Sequence, residues 1–164
     1  MSYGWRRQDG LVVEICDECG FDTRRTADVG TGLRAVLAAM HDLLTNPDAD
    51  QRPAEGTWSA AEYVVHSIHV VAETVAEVAD AAGVPPPTPP IDCPSALAAL
   101  DALLAGPTGP QLDTLTLVTP FATITARDNL YHALHDLEHH LLDIRRGYGR
   151  IALTRGDDLH TTVR

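Results

Sequence analysis

Apolar residues recur at helical spacing in the first half of the chain. Between residues 26 and 45 they stand three or four positions apart, at Leu33, Val36, Leu37, Met40, Leu43 and Leu44. A second helix is predicted over residues 60–82, because Ser59 and Glu62 form the Ser-x-x-Glu pattern of a capping box. Gly83 follows this stretch and is typical of a helix end.

Two further helices are predicted in the second half of the chain. Six prolines between residues 84 and 94 indicate an extended connection, and a short helix is expected over residues 95–105. A last helix is predicted from Thr125, as its N-cap, to Gly147, with one apolar stripe at Leu130, Leu134, Leu137, Leu141 and Ile144. These patterns predict an all-α domain, a four-helix bundle over residues 26–147.

The remaining segments are shorter and less regular. Residues 1–25 are predicted to form an N-terminal arm, in which a strand over residues 11–15 runs into a tight turn at Cys16 and Cys19. Residues 112–125 alternate Leu and Thr around Thr119-Pro120, which indicates a small hairpin or an extended loop before the last helix. Residues 148–164 are assigned to a C-terminal tail.

Composition narrows the class of protein. A length of 164 residues fits one domain, and an aromatic content of only 5% favours helices over a sandwich. The net charge of -11 argues against binding to nucleic acid or to anionic membranes. No apolar run reaches membrane-spanning length, and three cysteines are an odd number for a disulfide scaffold. We therefore expect a cytoplasmic protein.

Histidines are the candidate metal ligands. Four of the eight, His132, His135, His139 and His140, fall within nine residues of the last helix. Side chains at positions i and i+4 project together and can share one ion, which gives two pairs: His135 with His139, and Asp136 with His140. The second helix adds His66 and His69. A metal site between these two helices is predicted, against the alternative of a solvated polar surface.

A helical wheel separates the two pairs. At about 100° per residue, His140 lies at the edge of the apolar stripe of the last helix and Asp136 somewhat further round. His135 and His139 lie nearly opposite the stripe. A site inside the bundle therefore prefers Asp136 and His140, although the other pair stays open. His66 falls on the polar face of its helix, so the site would need a solvent-filled cleft.

Two motifs resemble those of the DinB/YfiT-like superfamily. The segment Trp-Ser-Ala-Ala-Glu-Tyr-Val-Val-His at residues 58–66 resembles its helix-two motif, in which a Trp precedes the first ligating His by eight residues. The segment His-Asp-Leu-Glu-His-His-Leu-Leu-Asp at residues 135–143 resembles its last-helix motif, in which two ligands four apart precede an Asp or Gln by three. The resemblance implies a DinB-like four-helix bundle and the ligand set His66, Asp136 and His140, with His135 and His139 as alternates.

The resemblance also implies a function. The acid Asp136 stands at a ligand position that a Glu occupies in the mycothiol-dependent maleylpyruvate isomerase branch of the family, so the chain resembles that branch. This resemblance implies a divalent metal, with zinc as first choice, that activates a low-molecular-weight thiol such as mycothiol for S-transfer or isomerisation. The expected partners are a small-molecule thiol, an electrophile and a second copy in a homodimer. Asp143, one turn beyond His140, would fix the orientation of that imidazole.

Cys16 and Cys19 form a Cys-x2-Cys-Gly knuckle, which resembles half of a zinc ribbon. Four ligands would require Cys93, a histidine, or the same knuckle of another subunit. A redox dithiol and a pair of ordinary reduced thiols are the alternatives. Two further functions stay open: a non-catalytic metal-binding or stress-response protein, and a redox or metal sensor that uses Cys16 and Cys19 on a bundle scaffold.

Overall fold

The computed structural model describes residues 5–8, 11–25, 28–105, 109–119 and 122–161. This part of the chain holds four helices, α1 (Val29–Leu43), α2 (Ala60–Ala81), α3 (Cys93–Ala105) and α4 (Ala126–Thr161). It also holds two antiparallel hairpins, β1 (Trp5–Gln8) with β2 (Leu11–Glu14), and β3 (Thr116–Val118) with β4 (Thr123–Thr125). The chain is mostly helical, as predicted, but the hairpins make the all-α class too narrow.

Local sequence signals set the helix starts. Asp28 caps α1 by accepting a hydrogen bond from the backbone N–H of Thr31 at 2.6 Å. The capping box of α2 is confirmed, because Ser59 and Glu62 each accept a hydrogen bond from the other's backbone N–H. Gly83 follows α2 with a φ of 66°, the left-handed conformation that glycine adopts at low cost.

The core lies along α4. α4 packs against α1 and α2, and α3 packs against the same two helices. The apolar stripe predicted for the last helix is buried, as are its partners on the other helices, including Leu37, Met40, Val64, Val78 and Leu100. Among the described residues, no helix combines the length and the apolar character needed to cross a bilayer.

The N-terminal arm folds back onto α4. β2 contacts α4, and Val13, Cys16 and Phe21 are buried beneath it. The predicted strand over residues 11–15 is present as β2, with Ile15 in a bridge to Asp22. Its partner β1 was not predicted, because the sequence Trp-Arg-Arg-Gln has no alternation of apolar and polar residues. The β3–β4 hairpin was one of two alternatives for residues 112–125.

The predicted end of the last helix at Gly147 is wrong. α4 continues through residues 148–161, the segment assigned to a tail. Gly147 is a close-packing position: a β-carbon there would meet the Cγ atom of Pro53 at 3.4 Å. The next turn is held by Tyr148, whose hydroxyl donates to the backbone oxygen of Leu43 at 2.7 Å, and by the buried Ile151. These tertiary contacts outweigh the low helix propensity of glycine.

We expect Gly149→Ala to stabilise the protein. Gly149 lies inside α4, and apart from its chain neighbours and the nearby backbone of α4, no described atom lies within 4 Å of the position its β-carbon would take. Glycine in a helix interior costs about 1 kcal/mol relative to alanine, so the free energy of unfolding in urea should rise by about 0.5–1 kcal/mol. Gly83→Ala is the matched control and should lower it by about 1 kcal/mol, because its φ is positive. No gain at residue 149 would contradict a helix beyond Gly147.

Candidate metal centres

α4 carries two pairs of candidate ligands that are offset by one residue. Each pair is spaced i, i+4, so its members lie on one face, and the offset turns the pairs about 100° apart. Within the described residues, two clusters have one candidate ligand atom per residue, all within 4.8 Å of one another: His66, Asp136 and His140, and Cys16, Cys19, His135 and His139. We name them the α2–α4 site and the arm site.

The α2–α4 site is centred on one carboxylate oxygen. Oδ2 of Asp136 lies 3.4 Å from Nε2 of His66 and 3.6 Å from Nε2 of His140. This oxygen is buried and accepts no hydrogen bond from any residue that the structure describes. Ligand atoms about 2.1 Å from a tetrahedral ion stand about 3.4 Å apart. The three atoms are therefore spaced as they would be around a small divalent cation.

Neighbouring side chains hold the histidines of this site. Nδ1 of His140 lies 3.3 Å from Oδ2 of Asp143, which favours Nε2 as the free electron-pair donor. The ring of Trp58 lies 5.3 Å from that of His66, and the ring of Tyr63 lies 4.9 Å from that of His140. The side chain of His66 is 37% exposed, against 16% for His140. The site is thus open to solvent on the side of α2.

A cleft of about 460 Å³ lies beside the α2–α4 site. Trp58, Tyr63 and Asp143 form the wall that the cleft shares with the site, and Arg146 and Arg150 line another part of it. Arg146 is paired with Glu18 at 2.7 Å, whereas the side chain of Arg150 forms no ion pair with a described residue. The cleft wall thus carries two guanidinium groups and the carboxylate of Asp143, in a protein with a net charge of -11.

The arm site is built on a tight turn. The backbone N–H of Gly20 donates to the oxygen of Cys16 at 3.0 Å, and the N–H of Cys16 donates to the oxygen of Phe21 at 3.0 Å. Gly20 has a φ of 79°, a conformation that glycine adopts readily. The turn brings Cys19 back beside Cys16, and Sγ of Cys16 lies 3.8 Å from Nδ1 of His139.

His135 is fully buried beneath the arm. Its Nδ1 lies 2.6 Å from Oε1 of Glu14, and its ring stacks on Phe21 at a centroid distance of 4.9 Å. Glu14 also receives Nδ1 of His132 at 3.0 Å. Burial opposes ionisation of Glu14, but its hydrogen bonds with the two histidines outweigh burial and lower its pKa. The hydrogen bond with Glu14 raises the pKa of His132.

The two thiols differ in acidity. Burial opposes ionisation of Cys16, but hydrogen bonds from the backbone of Cys19 and Glu18 and from His135 lower its pKa to about 6. Burial raises the pKa of Cys19 to about 11, and the neighbouring Cys16 contributes to this rise. Cys16 is therefore the thiol that ionises first.

The structure distributes the predicted residues between the two sites. His66, Asp136 and His140 lie together, with Asp143 behind His140. His135 and His139, which the sequence analysis treated as rivals for that site, lie with Cys16 and Cys19 instead. In the described residues, His69 is exposed on α2 and Cys93 is buried at the start of α3, and both lie outside the clusters.

The helical wheel could not distinguish a polar face of α4 that is exposed to solvent from one that another segment covers. It placed His135 opposite the core, and the arm buries that face of α4, so His135 has no exposed surface. Glu14 was missed as a functional residue. The sequence contained a sign of its role, because Glu14 is an acid within the otherwise apolar stretch Leu-Val-Val-Glu-Ile. A buried acid requires a partner.

The fold and the two clusters define a mostly helical protein with two candidate metal centres on one helix. Comparisons of the chain with protein-family models, with curated proteins and with solved structures found no match. The resemblance to the DinB/YfiT-like superfamily thus remains a prediction from the two motifs.

We expect Glu14→Ala to destabilise the protein by about 2–4 kcal/mol when metal is removed by a chelator, because it takes a hydrogen-bonded charge from the buried His135. Because folding lowers the pKa of Glu14, this carboxylate stabilises the fold above pH 4.5, its ordinary pKa, and the stabilisation is lost as the pH falls below that value. Because folding raises the pKa of His132, the contact between His132 and Glu14 stabilises the fold below pH 6.5, the ordinary pKa of histidine. This stabilisation is lost as the pH rises further.

The effect measured by urea unfolding should therefore be largest between pH 4.5 and 6.5. Glu55→Ala is the matched control, since Glu55 is exposed and its removal should change the stability by less than about 0.5 kcal/mol. Equal effects of the two substitutions would contradict the buried contact.

Proposed function

We propose that this protein is a DinB-like metal-dependent S-transferase or isomerase that uses mycothiol or a similar low-molecular-weight thiol. His66, Asp136 and His140 would bind one divalent metal, with zinc as first choice. The observation that supports this most strongly is the buried Oδ2 atom of Asp136, which lies between two imidazole nitrogens at 3.4 and 3.6 Å and accepts no hydrogen bond from a described residue.

The composition of the ligand set supports a catalytic role for this ion. Two imidazoles and a carboxylate suit zinc and several other first-row metals. Three protein ligands leave a coordination position for a thiol or water, as catalytic zinc sites do. The 37% exposure of the His66 side chain leaves the site open to solvent on the side of α2.

A bound divalent metal would supply Lewis acidity that keeps a thiol ionised near neutral pH. Asp143 holds the Nδ1 atom of His140, and the rings of Trp58 and Tyr63 lie beside those of His66 and His140. In a transfer, a carbon–sulfur bond forms, the leaving group departs with the electron pair of its bond, and the proton of the thiol passes to solvent. In an isomerisation, the carbon–sulfur bond forms and breaks again, so that no net oxidation occurs.

The cleft supports an electrophile that carries a carboxylate. Arg150 offers a positive charge that no described acid neutralises, and Arg146 lies one turn before it on α4. A guanidinium can bind a carboxylate through two parallel hydrogen bonds. Such a substrate would otherwise be repelled by the acidic surface. The proposal includes a cytoplasmic location, as expected from the composition, and a homodimer, as the resemblance implies.

We expect His66→Ala to abolish metal binding at the α2–α4 site. In a Trp5→Phe background Trp58 is the single tryptophan, and Co²⁺ bound beside it should quench its fluorescence. His66→Ala should weaken this response by more than about 100-fold, and Asp143→Asn by about 10-fold, because partners behind a ligand are worth about 10–100-fold in affinity.

His69→Ala is the matched control, because His69 is an exposed histidine on the same helix. It should leave the titration unchanged. A His66→Ala protein that still bound Co²⁺ with unchanged quenching would rule out the proposed ligand set.

Turnover tests the catalytic part of the proposal. Zinc-loaded protein with mycothiol should convert maleylpyruvate, or form a thioether from one of a panel of electrophiles, and His66→Ala should lose this activity. Arg150→Ala should raise the KM for a carboxylate-bearing substrate by about 5–10-fold, the loss of one exposed charged contact, and should leave the KM for a neutral electrophile unchanged.

Arg145→Ala serves as the control, because Arg145 is exposed on the same helix but does not line the cleft. A protein that binds one ion at His66 yet turns over no thiol and electrophile pair would contradict the enzyme and support a non-catalytic metal-binding protein.

A further inference from the structure

The arm site contains a different set of ligands from the α2–α4 site, namely two thiols and two imidazoles. We propose that Cys16, Cys19, His135 and His139 bind a structural Zn²⁺ ion that fastens the N-terminal arm to α4. This inference does not depend on the proposed catalytic function, because the two sites share no ligand.

The number and type of ligands indicate a structural site. Four protein ligands of the Cys2His2 type complete a tetrahedral zinc site and leave no open position for substrate. Thiolates select zinc over magnesium and calcium. The burial of Cys16 and His135 supports this assignment, since a closed structural ion needs no access to solvent.

The distances match such a site. Zinc bonds of about 2.3 Å to sulfur and about 2.1 Å to nitrogen place neighbouring ligand atoms about 3.4–3.8 Å apart. Sγ of Cys16 lies 3.8 Å from Nδ1 of His139, and the four ligand atoms lie within 4.8 Å of one another. Movements of about 1 Å would close them around an ion, which is within the reach of side-chain torsions.

The backbone folds Cys16 and Cys19 into a tight turn. The N–H of Gly20 donates to the backbone oxygen of Cys16 at 3.0 Å, and Gly20 allows the chain to reverse directly after the second cysteine. A Cys-x2-Cys turn of this kind presents both sulfurs on one side. The turn therefore supplies two of the four ligands from one short segment.

Each imidazole of the arm site has a carboxylate on its far side. Nδ1 of His135 is held by Glu14 at 2.6 Å, which leaves Nε2 as the coordinating atom. His139 is reversed: its Nδ1 faces Cys16, and its Nε2 lies 3.9 Å from Oε2 of Glu18. A carboxylate behind a ligating histidine fixes the ring and increases its basicity. The hydrogen-bonded Glu14 behind His135 is such an arrangement, and it is expected for a metal ligand and unnecessary for a redox dithiol.

The arm site also connects to the cleft. Glu18 lies between the two cysteines, and it pairs with Arg146, a residue of the cleft wall, at 2.7 Å. An ion that holds the knuckle in place would hold this ion pair in place as well. The structural ion would thus help to shape one wall of the cleft.

Cobalt binding tests the assignment. Full-length protein without an affinity tag is stripped of metal, loaded with Co²⁺ and followed by absorption and by metal analysis. We expect two ions per chain, with a sulfur-to-cobalt charge-transfer band and intense visible bands of a tetrahedral ion, and Zn²⁺ should displace both signals. Cys16→Ser should lose the charge-transfer band and one ion, whereas His66→Ala should lose the other ion and keep the band.

Cys93→Ser is the matched control, since Cys93 is buried in α3 outside the cluster. Its charge-transfer band should be unchanged. His139→Cys should bind cobalt with a shifted and stronger band, which separates loss of a ligand from loss of folding, and circular dichroism should show the helices in every variant.

A wild-type protein without a sulfur-to-cobalt band, or a Cys16→Ser protein that retains it, would overturn the proposal. Because His66→Ala and Cys16→Ser remove different ions, failure of the arm site and failure of the α2–α4 site give different results.

Discussion

The spacing of four candidate ligand positions on α4 sets the arrangement of both candidate metal sites. His135 with His139 and Asp136 with His140 are two i, i+4 pairs displaced by one residue, so one helix turns one pair towards the arm and the other towards α2. A rigid helix core holds both pairs, because the leucines beside them are buried. A ligand set on a rigid element is positioned more accurately than one on a loop.

The arm converts a polar helix face into an interior. Glu14 enters that interior as an acid and is stabilised by His132 and His135, while Phe21 covers the ring of His135. A buried charge is tolerated only when it is paired and hydrogen-bonded. The arm is consequently bound to α4 by polar contacts of defined geometry, and those contacts align the imidazole of His135 with the two thiols.

The sequence predicted those features that depend on local pattern. The capping box at Ser59 located the start of α2, and the leucine stripe located the buried face of α4, because both follow from helix geometry. The end of α4 could not be predicted, since Gly147 is retained in the helix by a contact with Pro53 from a distant segment. His135 was placed on the outer face for the same reason: a wheel describes one helix and contains nothing about the strand that covers it.

Asp143 lies between the two sites, and this position has a thermodynamic consequence. Its Oδ2 atom is 3.3 Å from Nδ1 of His140 and 4.0 Å from Nε2 of His139. One oxygen at these distances favours His140, and any motion towards His139 weakens its hold on His140. If both imidazoles used this oxygen, occupancy of one centre would weaken ion binding at the other, and by linkage the two effects would be equal in free energy. A single shared carboxylate would thus couple the two centres with negative cooperativity.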